Sequence, residues 1–209
     1  RNPANRCYKD EQRRFTNMLT FLYSTVNAGK SANLIMRAHS CQERGIQHLI
    51  FVPSIAQERD GKSQVRSRAG FELKARSLEE NTNPTEILID TMLHSGAKDP
   101  CQIIFVDEAQ FLTKKQVLEF TKICDELEIP VYAYGLRTDF KGELFEGSKY
   151  LLAWADNIEE ISTFETGTAK KATFNMKVNE KGDPIKSGRP INPSFDYKPV
   201  SRKSFSLGS

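Results

Sequence analysis

The sequence has few cysteines, no long apolar run and little excess charge. Its four cysteines, Cys7, Cys41, Cys101 and Cys124, lie far apart without a CxxC pair, which excludes a disulfide framework and a cysteine-rich zinc cluster. No apolar run approaches the roughly 18 residues that a membrane span needs, so we expect no transmembrane or signal segment. A net charge of +3, evenly spread, leaves no electrostatic footprint for nucleic acid. We therefore expect a cytoplasmic protein that binds neither membranes nor nucleic acid.

The composition allows a buried core. Residues of the AVILMFWYC set make up 38% of the 209 residues, and glycine brings the apolar share to about 44%, just under the usual value for globular proteins. At about 150 residues per domain, the chain has room for one large domain or for one domain with a small appendage. We find no internal repeat, which excludes a repeat array.

Short apolar runs alternate with helical patterns along most of the chain. Residues 1–17 are polar and basic without an apolar period, and we interpret them as a flexible N-terminal segment. The predicted strands are Met18–Ser24, His48–Val52, Gln102–Val106 and Pro130–Tyr134. The predicted helices are Ser31–Arg44, Pro84–His94 and Lys114–Leu127. On the last helix, the predicted apolar face consists of Val117, Leu118, Ile123 and Leu127.

Near-continuous apolar strands joined by helical crossovers indicate an α/β fold, with a parallel sheet flanked by helices on both sides. In such a fold the ligand site lies at the carboxyl ends of the strands. After about Ile158 the pattern changes to alternating segments and a tail rich in Pro, Ser and Lys. We therefore predict a flexible segment over 1–17, an α/β domain over 18–157 and a small β-rich C-terminal lobe over 158–209.

The run STVNAGKS, residues 24–31, lies between the first predicted strand and the first predicted helix. Its last three residues match the phosphate loop GxxxxGK[ST], whereas Ser24 replaces the first glycine. In such a loop, backbone N–H groups and a helix N-terminus hold a triphosphate. Gly29 permits close approach, Lys30 reaches the β and γ phosphates, and the Ser31 hydroxyl suits Mg²⁺. An ordinary helix start is the alternative, but the strand before and the helix after favour a P-loop nucleotide-binding domain.

An acidic pair, Asp107 and Glu108, ends the predicted strand in QIIFVDEAQF. Asp107 falls at the strand end, where its carboxylate can meet the Mg²⁺ shell of a bound nucleotide. The side chain of Glu108 points to the other side of the strand end and can face a second substrate. A solvated turn is the alternative, and the phosphate loop upstream makes it the less favoured one.

The loop YGLRTDFKGELF, residues 134–145, carries Phe140 and Phe145 at the same edge of the predicted sheet. Large aromatic side chains at a ligand edge commonly hold a flat ring such as a nucleobase. Burial of one of the two rings in the core beneath the loop is the alternative. Arg59 and Arg137 are further candidates, either for phosphate binding or for structural pairing.

Six motifs in this order resemble those of thymidine kinases of the second type, the cytosolic, bacterial and viral class. The resemblance runs from about residue 20 to residue 161, through STVNAGKS, ERG, SRAG, VDEAQF, YGLRTDF and LFEGSKYLLAWAD. It implies transfer of the ATP γ-phosphoryl group to the 5′ hydroxyl of thymidine, with Mg²⁺ bound through the nucleotide. It also implies a homotetramer and feedback inhibition by dTTP.

The resemblance assigns roles to individual residues. It makes Glu108 the catalytic base and Ser31 and Asp107 the contacts of Mg²⁺. The residues that it implies for ATP and phosphate binding are Ser24, Thr25, Val26, Asn27, Ala28, Gly29, Lys30, Ser31, Asp107, Glu108, Ala109 and Gln110. The residues that it implies for thymidine binding are Leu136, Phe140, Phe145, Ile191 and Tyr197.

Two segments of the C-terminal lobe depart from the family pattern. Family members usually hold a structural zinc with four Cys or His residues. The matching segments here offer Phe164, Glu165, Thr166, Ser201 and Ser204. Hydroxyls and one carboxylate do not replace thiolates for Zn²⁺, so we expect no zinc. The loop that clasps thymidine in the family, usually with an Ile-Gly-Gly stretch, reads INPSFDY over 191–197, and its Pro193 has no N–H to donate.

These departures leave other hypotheses open beside an active kinase. The chain could be a catalytically weakened nucleotide-binding paralogue or the partner subunit of an active kinase. It could also be another P-loop phosphotransferase or an ATPase with a different acceptor. Retention of both the phosphate loop and Glu108 favours an active thymidine kinase.

Overall fold

The computed structural model describes residues 18–57, 64–66, 72–94, 100–185, 187–188 and 196–207. The predicted N-terminal segment, Arg59, the SRAG motif and the clasp residues 191–195, which include Ile191, lie outside the described residues. The strands are β1 (Leu19–Ser24), β2 (His48–Pro53), β3 (Gln64–Arg66), β4 (Glu72–Lys74), β5 (Arg76–Leu78), β6 (Ile103–Val106), β7 (Val131–Leu136), β8 (Asn157–Glu160), β9 (Thr163–Phe164), β10 (Lys171–Ala172), β11 (Phe174–Val178) and β12 (Asp196–Val200).

Helices lie between most of the strands. They are α1 (Lys30–Glu43), α2 (Ser54–Gln57), α3 (Pro84–His94), α4 (Lys114–Leu127), α5 (Glu146–Trp154) and α6 (Arg202–Leu207), with a 3₁₀ turn at Ala109–Phe111. The strands and helices predicted for the α/β region are confirmed, with ends that shift by one or two residues. None of the described helices combines the length and the apolar character that crossing a membrane requires.

Among the described residues, six parallel strands form the main sheet in the order β5-β2-β6-β7-β1-β8. Successive side chains of a strand point to opposite faces of a sheet. In β1, Phe21 therefore packs in the apolar cluster that includes Phe120 of α4, and Leu22 packs in the cluster that includes Leu34 and Ile35 of α1. Both faces of the sheet are thus covered, which confirms the predicted α/β fold.

Helix α4 begins at a reciprocal cap and buries a different face from the predicted one. The hydroxyl of Thr113 accepts a hydrogen bond from the Gln116 N–H at 3.3 Å, and the Gln116 side chain accepts one from the Thr113 N–H at 3.1 Å. The buried face consists of Gln116, Val117, Phe120, Ile123 and Cys124. Leu118 and Leu127 are 43% and 44% exposed, so their predicted burial is wrong. Leu118 falls beside the buried stripe, and Leu127 is the last residue of the helix.

The main sheet extends beyond the predicted domain boundary at residue 157. Strand β8 pairs in parallel with β1, from Asn157 to Glu160, so it belongs to the sheet and not to the C-terminal lobe. All four of its residues are exposed, as a strand at the edge of a sheet allows. Its mostly polar sequence therefore lacks the apolar run that would predict a buried strand. Beyond it, β9 pairs with β10 and β11 pairs with β12 in antiparallel ladders.

A cluster of hydroxyl groups surrounds Glu165 in this C-terminal region. Its carboxylate accepts hydrogen bonds from the Ser204 hydroxyl and the Ser201 backbone N–H, and a longer one of 3.4 Å from the Thr168 hydroxyl. The Ser201 hydroxyl donates a hydrogen bond to that of Ser204 at 3.1 Å. These hydrogen bonds, that from Ser204 first, hold the pKa of Glu165 below its ordinary value. The cluster therefore joins the β9–β10 ladder to the residues that follow β12. It occupies the positions at which the resemblance would have placed zinc ligands.

The 3₁₀ turn packs tightly against α5. A Cβ on Gly147 would lie 2.3 Å from the carbonyl oxygen of Ala109 and 2.9 Å from that of Gln110. Both neighbours are backbone atoms, which cannot move aside as the end of a flexible side chain can. Only glycine therefore allows this contact between the helix and the turn.

The Gly147→Ala substitution tests this close approach. We expect it to lower the free energy of unfolding by about 1–3 kcal/mol, because the added methyl group overpacks a rigid contact. Urea unfolding followed by circular dichroism measures the change. Lys149→Ala, two residues further along the same helix and exposed, is the control and should leave the free energy nearly unchanged. Equal stability of the Gly147 variant and the unsubstituted chain would contradict the packing described.

The Glu165→Gln substitution tests the hydroxyl cluster. Since the folded pKa of Glu165 lies below its unfolded value, the carboxylate stabilises the fold above its ordinary pKa of about 4.3. That contribution is lost as the pH falls through the folded pKa. We expect the variant to be less stable near neutral pH and to lose less stability on acidification, as measured by urea unfolding at several pH values. The exposed Glu180→Gln control should keep the original pH profile, and an unaltered profile in the Glu165 variant would refute the role of the cluster.

Candidate active site

The carboxyl ends of β1, β6 and β7 lie together at one edge of the sheet. Ser24, the last residue of β1, pairs with Leu136, the last residue of β7, and Val106 at the end of β6 pairs with Ala133. The loops that follow these strands therefore open at the same edge. This is the edge at which ligands bind in open parallel sheets, and it collects the predicted phosphate loop, acidic pair and aromatic loop.

The loop between β1 and α1 turns through two left-handed residues, Asn27 (φ 62°) and Gly29 (φ 82°). Gly29 forms the N-cap of α1 without a side-chain hydrogen bond, so the helix start presents its backbone N–H groups to the loop. A Cβ on Gly29 would meet nothing within 4 Å. Glycine is therefore required here because of the positive φ, and not because a side chain would clash with a neighbour. The helix start and its dipole together form an anion site.

The amine of Lys30 is folded back against the start of this loop. Its Nζ donates hydrogen bonds to the Ser24 hydroxyl and to the Thr25 carbonyl oxygen, both at 3.0 Å. Only 8% of the residue is exposed, and this burial lowers its pKa, whereas the charges of Glu108 and Asp107 oppose the effect. Lys30 thus lies within electrostatic reach of the acidic pair, as the sequence predicted.

Asp107 joins the end of β6 to the start of α1. Its Oδ2 accepts a hydrogen bond from the Ser31 hydroxyl at 2.9 Å, and its Oδ1 accepts one from the Glu108 N–H at 3.0 Å. Burial raises the pKa of Asp107 to about 7, and the neighbouring charge of Glu108 acts in the same direction. A cation beside this carboxyl group would favour its ionised form.

Ser31 and Asp107 fit a Mg²⁺ ion bound through a nucleotide. Mg²⁺ takes oxygen ligands and usually binds through one or two protein groups together with substrate phosphates. The hydroxyl and the carboxylate are in direct contact at the helix start that offers N–H groups to an anion. The donor set thus suits a hard cation on the phosphate side of the site.

Glu108 is held in an unusual backbone conformation and by a neighbouring side chain. Its φ of 51° places it in the left-handed region, which is uncommon for a residue other than glycine and is concentrated at functional sites. The amide nitrogen of the Gln110 side chain donates a hydrogen bond to the Glu108 carboxylate, and the amide oxygen accepts one from the Leu136 N–H at 3.0 Å. Gln110 is only 1% exposed.

Gln110 therefore connects the predicted base to the start of the aromatic loop. The sequence placed Gln110 among the ATP-binding residues, whereas the structure places its side chain between two protein groups. The side chain of Ala109 lies fully buried in the apolar core, and its contact with ATP stays a prediction. The DEAQF motif marks this segment in the sequence, but no pattern within it indicates which partner each residue contacts.

The aromatic residues divide between two environments. Phe140 is 5% exposed, with its ring centroid 6.5 Å from that of Tyr197, so these two predicted thymidine-binding residues come together. The half-buried Phe145 packs edge-to-face on Phe111 at 5.5 Å. Leu136 is the last residue of β7, and its carbonyl oxygen accepts a hydrogen bond from the buried Ser148 hydroxyl.

Two basic side chains of this region have protein partners. Arg137 donates a hydrogen bond to the Thr173 carbonyl oxygen at 3.0 Å and lies over the rings of Tyr23 and Phe174, which agrees with structural pairing. Lys177, which the sequence did not single out, is 1% exposed and has its Nζ 5.0 Å from the centre of the Phe140 ring. Neither contact is visible in the sequence, because both join segments far apart in the chain.

The remaining predicted phosphate-loop residues lie along the rim of the site. Asn27 is exposed, and Val26 and Ala28 are half-buried. Within the part of the chain that the structure describes, no three His, Cys, Asp or Glu side chains cluster where they would hold a metal ion. The expected lack of zinc stays a prediction, and so does the role of Ile191.

Comparisons with known proteins show the family of this chain. The sequence model described as thymidine kinase matches residues 17–205 of the chain. A thymidine kinase of Coxiella burnetii is 42% identical over 193 residues, which cover 91% of this chain and 95% of that protein. A thymidine kinase of Rhodopirellula baltica is 43% identical over 90% of this chain and 87% of that protein. A thymidine kinase of Mannheimia succiniciproducens is 43% identical over 83% of this chain and 86% of that protein. The chain therefore belongs to the thymidine kinase family, as its motifs predicted, and is a kinase.

Proposed function

We propose that the chain transfers the γ-phosphoryl group of ATP to the 5′ hydroxyl of thymidine and so forms dTMP. The observation that carries this proposal is the contact between the Ser31 hydroxyl and Asp107. This contact brings the phosphate loop beside the acidic pair, so a triphosphate held by the loop would extend toward Glu108. Family membership supports thymidine as the acceptor, because the similar proteins are named thymidine kinases.

The phosphate side of the site would position the triphosphate. The N–H groups at the start of α1 would bind phosphate oxygens, and Lys30 would exchange its contacts with Ser24 and Thr25 for the β and γ phosphates. Mg²⁺, held by Ser31 and Asp107 through the nucleotide, would supply charge neutralisation at the transferring group. Positioning and charge neutralisation provide most of the catalysis in phosphoryl transfer.

The acceptor side would depend on Glu108 and the aromatic loop. Glu108 would accept the proton of the 5′ hydroxyl as the new bond to phosphorus forms, and Gln110 would keep its carboxylate in place. Leu136, Phe140, Phe145 and Tyr197 would line the space for the thymine ring, as the resemblance implies. The close approach of Phe140 and Tyr197 supports a shared pocket for a flat ring.

Two further parts of this proposal, a homotetrameric assembly and feedback inhibition by dTTP, come from the resemblance alone. Mg²⁺ as the metal of the reaction is also supported by the oxygen donors of Ser31 and Asp107. A C-terminal lobe without zinc departs from the family pattern and is argued from the residues that replace its zinc ligands. The alternative of a weakened binding paralogue is not favoured, since Lys30, Ser31, Asp107 and Glu108 are all present and adjacent.

Glu108→Gln tests the proposed base. We expect kcat for thymidine phosphorylation to fall by about 100- to 10,000-fold, because the amide cannot accept the proton, while ATP and thymidine still bind. A coupled assay of ADP release, with and without thymidine, measures this. Glu126→Gln, an exposed carboxylate on α4, is the control and should keep full activity. Thymidine-independent ATP hydrolysis of equal rate in both proteins would rule out the proposed acceptor.

Gln110→Met tests the support of the base. The substitution keeps the volume but removes both hydrogen bonds, so we expect kcat to fall by about 10- to 100-fold through misplacement of Glu108. The KM for ATP should change little, because the phosphate loop is untouched. Gln42→Met, an exposed site on α1, serves as the control. A rise in the KM for ATP with kcat unchanged would mean that Gln110 binds the nucleotide directly.

A further inference from the structure

Asn175 of β11 is far from the phosphate loop in sequence but hydrogen-bonded to it in the fold. Its side-chain oxygen accepts a hydrogen bond from the Val26 N–H at 2.8 Å, and its side-chain nitrogen donates one to the Thr138 carbonyl oxygen at 2.9 Å. The residue is 2% exposed. Both ends of one buried amide are therefore engaged by backbone groups from two separate loops.

The two partners belong to opposite halves of the proposed site. Val26 lies within the phosphate loop, and Thr138 lies in the loop that leads to Phe140 and forms a bridge to Leu144. We propose that Asn175 is a positioning residue that fixes the distance between these two loops, so that the ATP side and the thymidine side form as one unit. The proposal rests on the proposed function for what each loop binds.

The start of β11 is anchored by contacts that do not involve Asn175. The Arg137 side chain donates a hydrogen bond to the Thr173 carbonyl oxygen at 3.0 Å, and the Phe174 ring stacks on that of Phe205 at 4.5 Å. The strand also pairs along its length with β12. Because the strand is held in these ways, it provides a firm base from which one side chain can position two loops.

A second residue of β11, Lys177, lies on the same face of the strand as Asn175. Asn175 and Lys177 are two residues apart and so share one face of the strand. Both are almost completely buried, and the amine of Lys177 lies 5.0 Å from the centre of the Phe140 ring. This face of β11 therefore supports the loop of Phe140 at two points, whereas the phosphate loop depends on Asn175.

Loss of the Asn175 amide would affect both loops. The Val26 N–H and the Thr138 carbonyl would each lose a hydrogen bond in a largely buried setting, which costs more than the bond itself contributes. Each loop would then shift toward solvent or toward another partner. Small displacements of reacting groups reduce rates strongly, so we expect the binding of both substrates to weaken.

Two substitutions separate the two hydrogen bonds. Asn175→Leu removes both of them, whereas Asn175→Asp keeps the oxygen that accepts from Val26 and replaces the donor to Thr138 with a second acceptor. Ser204→Ala weakens the C-terminal lobe through the Glu165 cluster and touches neither loop, so it controls for general loss of stability. The measurements are hydrogen exchange of the Val26 amide by NMR in the ligand-free full chain, and KM for ATP and for thymidine.

We expect Asn175→Leu to speed exchange at Val26 and to raise KM for both substrates by about tenfold each. Asn175→Asp should keep Val26 protected and KM for ATP near its original value, while KM for thymidine rises by about tenfold. Ser204→Ala should lower the unfolding temperature but leave Val26 exchange and both KM values unchanged.

Several results would overturn the proposal. One is an unchanged rate of hydrogen exchange at the Val26 amide in Asn175→Leu. Another is that Ser204→Ala, at the same loss of stability, changes Val26 exchange and both KM values as much as Asn175→Leu does. If Asn175→Leu does not fold, Asn175→Asp tests the proposal instead. Equal rises of KM for ATP and KM for thymidine in that variant would contradict separate roles for the two hydrogen bonds. Failure of the proposed function would instead appear as an unsubstituted chain without thymidine-dependent turnover, and the exchange measurement would still test the positioning role.

Discussion

The hydrogen bond between the Ser31 hydroxyl and the Asp107 carboxylate is the contact on which the rest of the site depends. It joins the first turn of α1 to the end of β6, two segments that the parallel sheet brings to the same edge. Lys30 is fixed beside this contact by Ser24 and Thr25, and Glu108 follows directly. The fold thus concentrates two acids, one buried cation and a helix N-terminus where a triphosphate would carry its charge.

The strands and the chemistry of their loops were predictable from the sequence because both signals are local. Apolar runs such as HLIFV predicted the buried strands. GKS predicted a loop that leads into a helix, and the structure places Gly29 at the N-cap of that helix. The predicted buried face of α4 was partly wrong, because the elements that pack against a helix decide which of its side chains are buried. Strand β8 was not predicted, because its exposed sequence NIEE resembles that of a loop. The contact of Gln110 with Leu136 and the contacts of Asn175 join residues 26 to 149 positions apart, and no local pattern predicts which distant residues will meet.

The C-terminal segment is more than an appendage to the nucleotide-binding sheet. Its strand β11 contacts the phosphate loop through Asn175, and its strand β12 supplies Tyr197 beside Phe140. Hydrogen bonds around Glu165 hold the same segment together. A segment of this size has little apolar core of its own, so polar clusters and contacts with the main sheet contribute much of its stability. The segment thus contributes side chains to both halves of the proposed site.

The most direct test of the account is a crystal structure with a bisubstrate analogue, in which adenosine and thymidine are joined through their 5′ oxygens by a phosphate chain. The account predicts that the chain lies across the start of α1, that the amine of Lys30 contacts its phosphates, and that the Glu108 carboxylate lies within hydrogen-bond distance of the thymidine 5′ oxygen. Phosphates bound at another edge of the sheet, or a thymidine 5′ oxygen remote from Glu108, would contradict it.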